Sequence, residues 1–159
     1  MDLINLITSV SVKFKFVVCD TEQLVEKSKQ LRHLIYCEEK GSEPQNTSLL
    51  EEDEYDKVSI HYLVVCRKTN IHIATFRLII SSNLPLTEYM SSDNILHPKN
   101  VPANAIAEVS RFSMLKEYRN ADLLKALFIL VGYESAKHGL VGAYMVMEKS
   151  LAVQLRRAK

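Results

Sequence analysis

The sequence predicts an α/β domain whose elements run β, α, β, β, β, α, β, α. Three patterns carry this reading. Residues 10–18 alternate, with Val10, Val12, Phe14, Phe16 and Val18 on one side and Ser11, Lys13 and Lys15 on the other, the period-two mark of a half-buried strand. Leu24, Val25, Leu31, Leu34 and Ile35 recur at helical spacing. VSIHYLVVC (58–66) and IHIATFRLII (71–80) flank a short polar turn and read as an antiparallel hairpin. At 159 residues the chain forms one domain.

The remaining elements follow in order. Asp20 and Thr21 offer an N-cap for a helix over residues 22–40, and Gly41 sits where a helix commonly ends in the left-handed conformation. A polar stretch with Pro44 leads into the hairpin. Residues 81–104 carry Pro85, Pro98 and Pro102 and form a long connection, with a helical turn near 87–90. AIAEVSRFSML (105–115) is a strand, and 122–138 is an apolar helix stopped by Gly139. VGAYMVM (141–147) is a short buried strand, and 149–157 a last short helix.

Composition removes several function classes. A net charge of +1 with scattered Lys and Arg provides no field for nucleic acid or an anionic membrane. Three cysteines without a Cys-x-x-Cys pair indicate neither a disulfide framework nor a zinc knuckle; reduced thiols in the cytoplasm are the simpler account. The apolar start is no signal peptide, because Asp2 replaces a positive n-region and Lys13 and Lys15 interrupt the run. No stretch reaches the roughly 18 apolar residues of a membrane span. The five histidines lack metal spacing, with His61 and His72 read as core or surface residues. Neither a Ser-His-Asp order nor a Gly-x-Ser-x-Gly elbow occurs, and four glycines build no phosphate-cradling loop. Cys37 reads as a small buried thiol.

What needs explaining is charge in apolar settings. LEEDEYDK (50–57) packs Glu51, Glu52, Asp53, Glu54 and Asp56 around Tyr55. Such runs commonly do no more than face water. Arg77, however, shares its strand parity with Ile71, Ile73, Thr75 and Ile79, and a charge on such a face needs a carboxylate. The acidic loop enters the same hairpin and offers one. Glu108, in line with Ile106, Ser110 and Phe112, offers another, and an Arg77–Glu108 pair would fix sheet register. Arg111 stands three residues beyond Glu108 and reaches the same side only across a β-bulge.

Together RHLIYCEE, EEDEYDKVSIHYLV, ATFRLI and AEVSRFSM resemble the autoinducer-synthase branch of the GNAT acyltransferases, over residues 10–157. That branch holds acyl-homoserine-lactone synthases, long-chain N-acyl amino acid synthases and exosortase-system-associated acyltransferases. Arg32 with Tyr36, the Glu51-x-Asp53-x-x-Asp56 pattern, Arg77, and Glu108-x-x-Arg111 occur in the family's order. The resemblance implies a GNAT fold, a mixed, mostly antiparallel central sheet flanked by helices, whose two closing strands would follow the final helix beyond Lys159. An unfinished sheet edge of that kind offers a route to a homodimer.

It also implies N-acyl transfer from a thioester to an amine. Glu108, Glu51 and Asp53 are the catalytic group, with Glu108 as general base. Asp56, Arg77, Arg111, Arg32, Tyr36, Ser110 and Phe112 bind substrate, the backbone at 110–112 facing the oxyanion. The implied partners are an acyl carrier protein and a small-molecule amine, with no metal and no permanently bound cofactor. LKEYRNADLL (115–124) lacks the spaced glycines that cradle the coenzyme A pyrophosphate, so acyl-phosphopantetheine on a carrier protein suits the chain better than acyl-CoA. Acyl-homoserine-lactone synthases carry a tryptophan after the first helix, whereas here Ser42 stands in that region and the chain has no Trp. The N-acyl amino acid and exosortase-associated members are therefore the nearer resemblance. The alternatives are an autoinducer synthase using S-adenosylmethionine and a non-catalytic GNAT-like binding domain.

Overall fold

The structure, a computed structural model, describes residues 3–80, 85 and 101–145. Its centre is one five-stranded sheet in the order β1-β2-β3-β4-β5. The strands are β1 (Phe14–Val18), β2 (Ser59–Cys66), β3 (His72–Ile79), β4 (Ile106–Met114) and β5 (Gly142–Met145). The first four pair antiparallel and β4 with β5 parallel. A parallel pair needs a crossover, and helix α3 (Ala121–Lys137) provides it.

The first element differs from the strand expected over 10–18. Helix α1 occupies Leu3–Lys13, and the strand begins only at Phe14. Period-two packing would bury Val10 and Val12 alike, but Val10 is buried in the core and Val12 is 71% exposed. Arg67 marks the changeover: its Nε donates to the carbonyls of Ser11 and Phe14, and its backbone N–H to that of Lys13, satisfying groups a helix end leaves open.

The second element follows the expectation. Thr21 caps α2 (Glu22–His33) by accepting from the Leu24 N–H at 3.3 Å. The helix then widens into a π-helical turn at Leu34–Glu39, and Gly41 adopts φ 63°. The hairpin turns through Asn70 at φ 56°, and Gly139 (φ 71°) follows α3, whose N-cap is Asn120. The expected turn near 87–90 and the helix over 149–157 lie outside the described residues, as do residues 146 and 147 of the expected last strand.

Helices cover both faces of the sheet. Under α3, Leu123, Ala126, Leu127 and Val131 meet Val64, Ala74, Phe76, Leu78, Ala107 and Val109 in the main core. On the other face Leu31 of α2 and Ile35 of the π-helical turn pack against Leu63, but Ser28 and Arg32 of α2 are also fully buried. All three cysteines are free and buried. No described helix is long and apolar enough to cross a membrane.

Candidate active site

Side chains gather beneath α2 because two irregularities break the sheet's alternation. Thr75 pairs with Ser113 and Arg77 with Ser110, so Arg111 and Phe112 stand against the single Phe76. This is the β-bulge that Arg111 required, and Arg111 there takes φ 52°. Its effect is to exchange faces. Arg111 joins Arg77 and Ser110, while the Phe112 ring moves to the α3 side, between Phe76 and Phe128 at 6.4 and 6.0 Å. The expected alignment of Phe112 with Glu108 and Ser110 is therefore corrected, although the Phe112 carbonyl stays at the site and accepts from Tyr36 Oη at 2.9 Å.

Three guanidinium groups and three carboxylates close into a ring. Arg32 donates through Nε to Glu51, and through Nη1 and Nη2 to Asp56 at 2.7 and 3.1 Å. Asp56 Oδ1 also accepts from Arg77 Nη1 at 2.6 Å. Arg77 continues to Asp53 with a two-pronged contact of 2.5 and 2.7 Å, and its Nε donates to Ser110 Oγ at 2.8 Å. Asp53 Oδ2 accepts from Arg111 Nη2 at 3.1 Å. Arg111 Nε lies 2.9 Å from Glu51 Oε1, close enough for an ion pair although its N–H is not aimed at that oxygen. Glu51 returns the ring to Arg32.

The local fold of the acidic loop makes this closure possible. Asp53 caps the short 3₁₀ helix Glu54–Val58, while Asp56 Oδ2 accepts from the Asp53 N–H at 3.0 Å, a reciprocal capping box that aims both carboxylates inward. Burial by itself would raise both acids. The Arg77 contacts outweigh it at Asp53, and those of Arg32 and Arg77, with the Asp53 N–H, outweigh it at Asp56, holding both below the usual carboxylate range.

Depth divides the ring. Arg32 and Arg77 are buried to 0% and 2% exposure. The side chains of Asp53 and Arg111 are 25% and 28% exposed, which puts one charge of each sign at the mouth. The Arg111 guanidinium lies 6.0 Å from the centre of the Tyr36 ring, which the π-helical turn carries into place. Glu108 is buried two rungs from the Arg77–Ser110 pair, opposite Ile79 on β3 and Tyr144 on β5.

Residues 31–129 match the family described as acetyltransferase (GNAT) domain. The chain belongs to this family. As a GNAT protein it is an acyltransferase, and solved acyl-homoserine-lactone synthases share its fold. The AHL synthase LasI superposes with a TM-score of 0.66 at 19% identity, over 91% of this chain and 77% of that one. The CoA-dependent acyl-homoserine lactone synthase BjaI, solved with SAM and isopentyl-CoA, gives 0.66 at 18% identity over 91% and 71%. An N-acetyltransferase structure from Lactobacillus plantarum gives 0.62 at 13% over 91% and 82%. No curated protein matches the chain in sequence.

The GNAT fold thus unites Arg32, Tyr36, Glu51, Asp53, Asp56, Arg77, Ser110 and Arg111 in one place, with Glu108 two rungs along β4. Arg77 takes its partners from the acidic loop. The strands β4 and β5 pair from Ile106↔Gly142 to Val109↔Met145, and their course past Met145 lies outside the described residues.

Sequence reasoning missed His61. It faces Arg77 across the hairpin because β3 carries an extra residue between the partners of Val64 and Val65. Counting outward from the turn would have set Phe76 opposite it. Also missed was Ser28, whose hydroxyl lies 2.6 Å from that of Thr75.

Proposed function

We propose that the chain transfers a long fatty acyl group from the phosphopantetheine thioester of an acyl carrier protein to the amine of an amino acid or a similarly charged small molecule, in the cytoplasm. The observation that carries this is the closed charge ring with Asp53 and Arg111 at its mouth. An amino acid bears one charge of each sign, so its ammonium matches Asp53 and its carboxylate matches the planar fork of Arg111. The ring has no net charge of its own, so it receives a zwitterion without burying an uncompensated ion.

The chemistry divides between the carboxylates. Asp53 and Asp56, held as anions, orient charge and carry no proton at neutral pH. Glu51 links Arg32 to Arg111 and keeps the mouth in shape. Glu108 takes the proton from the acceptor's ammonium, whose pKa of about 8 leaves it mostly protonated at neutral pH. The free amine attacks the thioester carbonyl. The oxyanion that forms is held by backbone N–H groups at the 110–112 bulge, and collapse to the amide expels the pantetheine thiolate, which takes up the proton that the attacking nitrogen gives up. No covalent enzyme intermediate is needed.

The donor follows from the start of α3. Asn120 Oδ1 already accepts the Leu123 N–H at 2.9 Å, and Asp122 stands in the first turn, so this helix end is poorly disposed toward a pyrophosphate. The shared fold of a CoA-dependent synthase does not decide between donors. A second reading, acyl-homoserine-lactone synthesis from S-adenosylmethionine, is favoured by the superposition on LasI and opposed by the absence of tryptophan.

Incubation with long-chain acyl carrier protein or acyl-CoA, against a pool of amino acids or S-adenosylmethionine, followed by mass spectrometry, separates these readings. Acylated amino acid from the carrier-bound donor is expected. Homoserine lactone product would overturn the acceptor, turnover of acyl-CoA alone would overturn the donor, and carrier binding without any product would leave a binding domain.

A further inference from the structure

His61 is 2% exposed and lies directly beneath the ring, opposite Arg77 in the β2–β3 register. Its Nε2 is 3.3 Å from the backbone oxygen of Asp56 and 3.6 Å from Asp56 Oδ1. A carbonyl oxygen can only accept, so Nε2 bears the hydrogen and Nδ1 the lone pair. Nδ1 is buried with no hydrogen-bond partner.

The charged groups around the imidazole are Asp56 from the 3₁₀ helix, Arg32 from α2 and Arg77 from β3. A second proton would sit on Nδ1 without an acceptor and near two guanidinium groups, so this setting selects a neutral donor. Burial, the largest influence, lowers the pKa of His61 in the same sense.

Asp56 joins the two deepest cations. Its Oδ1 contacts both Arg32 and Arg77, and its Oδ2 holds the Asp53 N–H. A displacement of Asp56 therefore reaches Asp53 by two routes, through the capping box and through Arg77.

We propose that His61 is a positioning residue for acyl transfer: by fixing the backbone of Asp56 from below, it sets Arg77 and Asp53 at the angle that receives the acceptor amine. This deepens the acyl-transfer reading and rests on it. His61 touches no reacting atom, so its loss weakens acceptor binding more than the chemical step.

The test uses the full chain with H61F and H61Q. Glutamine can present an amide N–H near the position of Nε2, and phenylalanine fills the space without a donor. H61F is expected to raise the acceptor KM about tenfold with kcat changed less than about threefold, and H61Q to restore most of the affinity. Nitrogen-15 NMR of wild-type His61 should show the neutral Nε2–H tautomer at neutral pH, with protonation setting in only below the ordinary histidine pKa of about 6.5. Should H61F not fold, H61N, too short to reach the Asp56 carbonyl, replaces it with the same expected rise. An Nδ1–H tautomer, an ordinary titration, an unchanged KM in the donor-less variant, or failure of H61Q to restore it overturns this role alone. A wild-type chain that acylates no amine overturns the acyl-transfer reading, and this role with it, even where the tautomer holds.

Discussion

The two faces of this sheet are built by the same strands to different ends. Along β3, Ala74, Phe76 and Leu78 point under α3, while Thr75 and Arg77 point under α2. On the α3 side burial is non-directional, and its contribution scales with the apolar area removed from water. The α2 side instead buries Ser28, Arg32, His61, Thr75 and Arg77, each of which needs a partner at a particular distance and angle. Desolvating such ions offsets much of their mutual attraction. The polar face therefore adds little net stability and a great deal of defined geometry. The proposed acyl transfer would use that geometry, and the apolar face provides the stability to hold it.

The largest separation of the two faces should come from Glu108→Gln. The substitution keeps shape and hydrogen-bonding capacity but removes the basic oxygen, so kcat should fall by about 10²–10⁴-fold while the unfolding midpoint moves little. Matching losses of activity and folding would return Glu108 to a purely structural part.

Next comes a pair of substitutions, one per face. Arg77→Met leaves Asp53 and Asp56 short of a buried cation and should cost about 3–5 kcal/mol in urea unfolding, with loss of acceptor binding. Leu127→Ala, fully buried on the apolar face, should cost about 2–5 kcal/mol through the cavity it leaves. The folded fraction of that variant should retain its acceptor KM. A KM that rises equally in both variants would erase the division between stability and geometry.

Much of this architecture was legible in the sequence, and the failures share a cause. The hairpin, both long helices and their stops at Gly41 and Gly139 were readable because local periodicity and capping decide them. Arg77 announced its need for a carboxylate through parity alone. The two bulges were harder, because an extra residue reverses the parity of everything beyond it. In β4 the apolar positions do change from Ala107 and Val109 to Phe112 and Met114, a parity break that marks the Arg111 bulge in retrospect. In β3 no comparable break exists, and His61 stayed hidden. The start of β1 was misread because Val10 and Val12 satisfy a strand pattern, whereas the carbonyl contacts of Arg67 that end α1 come from 56 residues away.

Acidification should strain the polar face first. His61 has a folded pKa below its unfolded value, so the unfolded chain binds the extra proton more readily and stability falls as pH drops below about 6.5. His72, lowered by burial and by Lys27, adds to that early loss. Asp53 and Asp56 are also depressed; their stabilisation is complete above about pH 4 and is lost as pH falls through their folded values. Urea midpoints should therefore decline in two legs, and H61Q should flatten the upper one. A single leg confined below about pH 4, identical in H61Q, would show that His61 does not feel the ring.

The smallest effect tests how α2 is seated on the polar face. Thr75 Oγ1 lies 2.8 Å from the Tyr62 carbonyl, which can only accept, so the one hydroxyl hydrogen of Thr75 is spent there. The Ser28 hydroxyl, 2.6 Å away, must then donate to Thr75. Ser28→Ala removes a donor but leaves the Thr75 bond to Tyr62 intact, and should cost about 1 kcal/mol. Thr75→Val removes the acceptor of one bond and the donor of the other, stranding the Ser28 hydroxyl, and should cost more. With both changed no donor is stranded, so the double variant should lose less than the two singles together. Strict additivity would mean that the two hydroxyls do not form the relay inferred from their distances, and that apolar packing and the Arg32 contacts seat α2 without them.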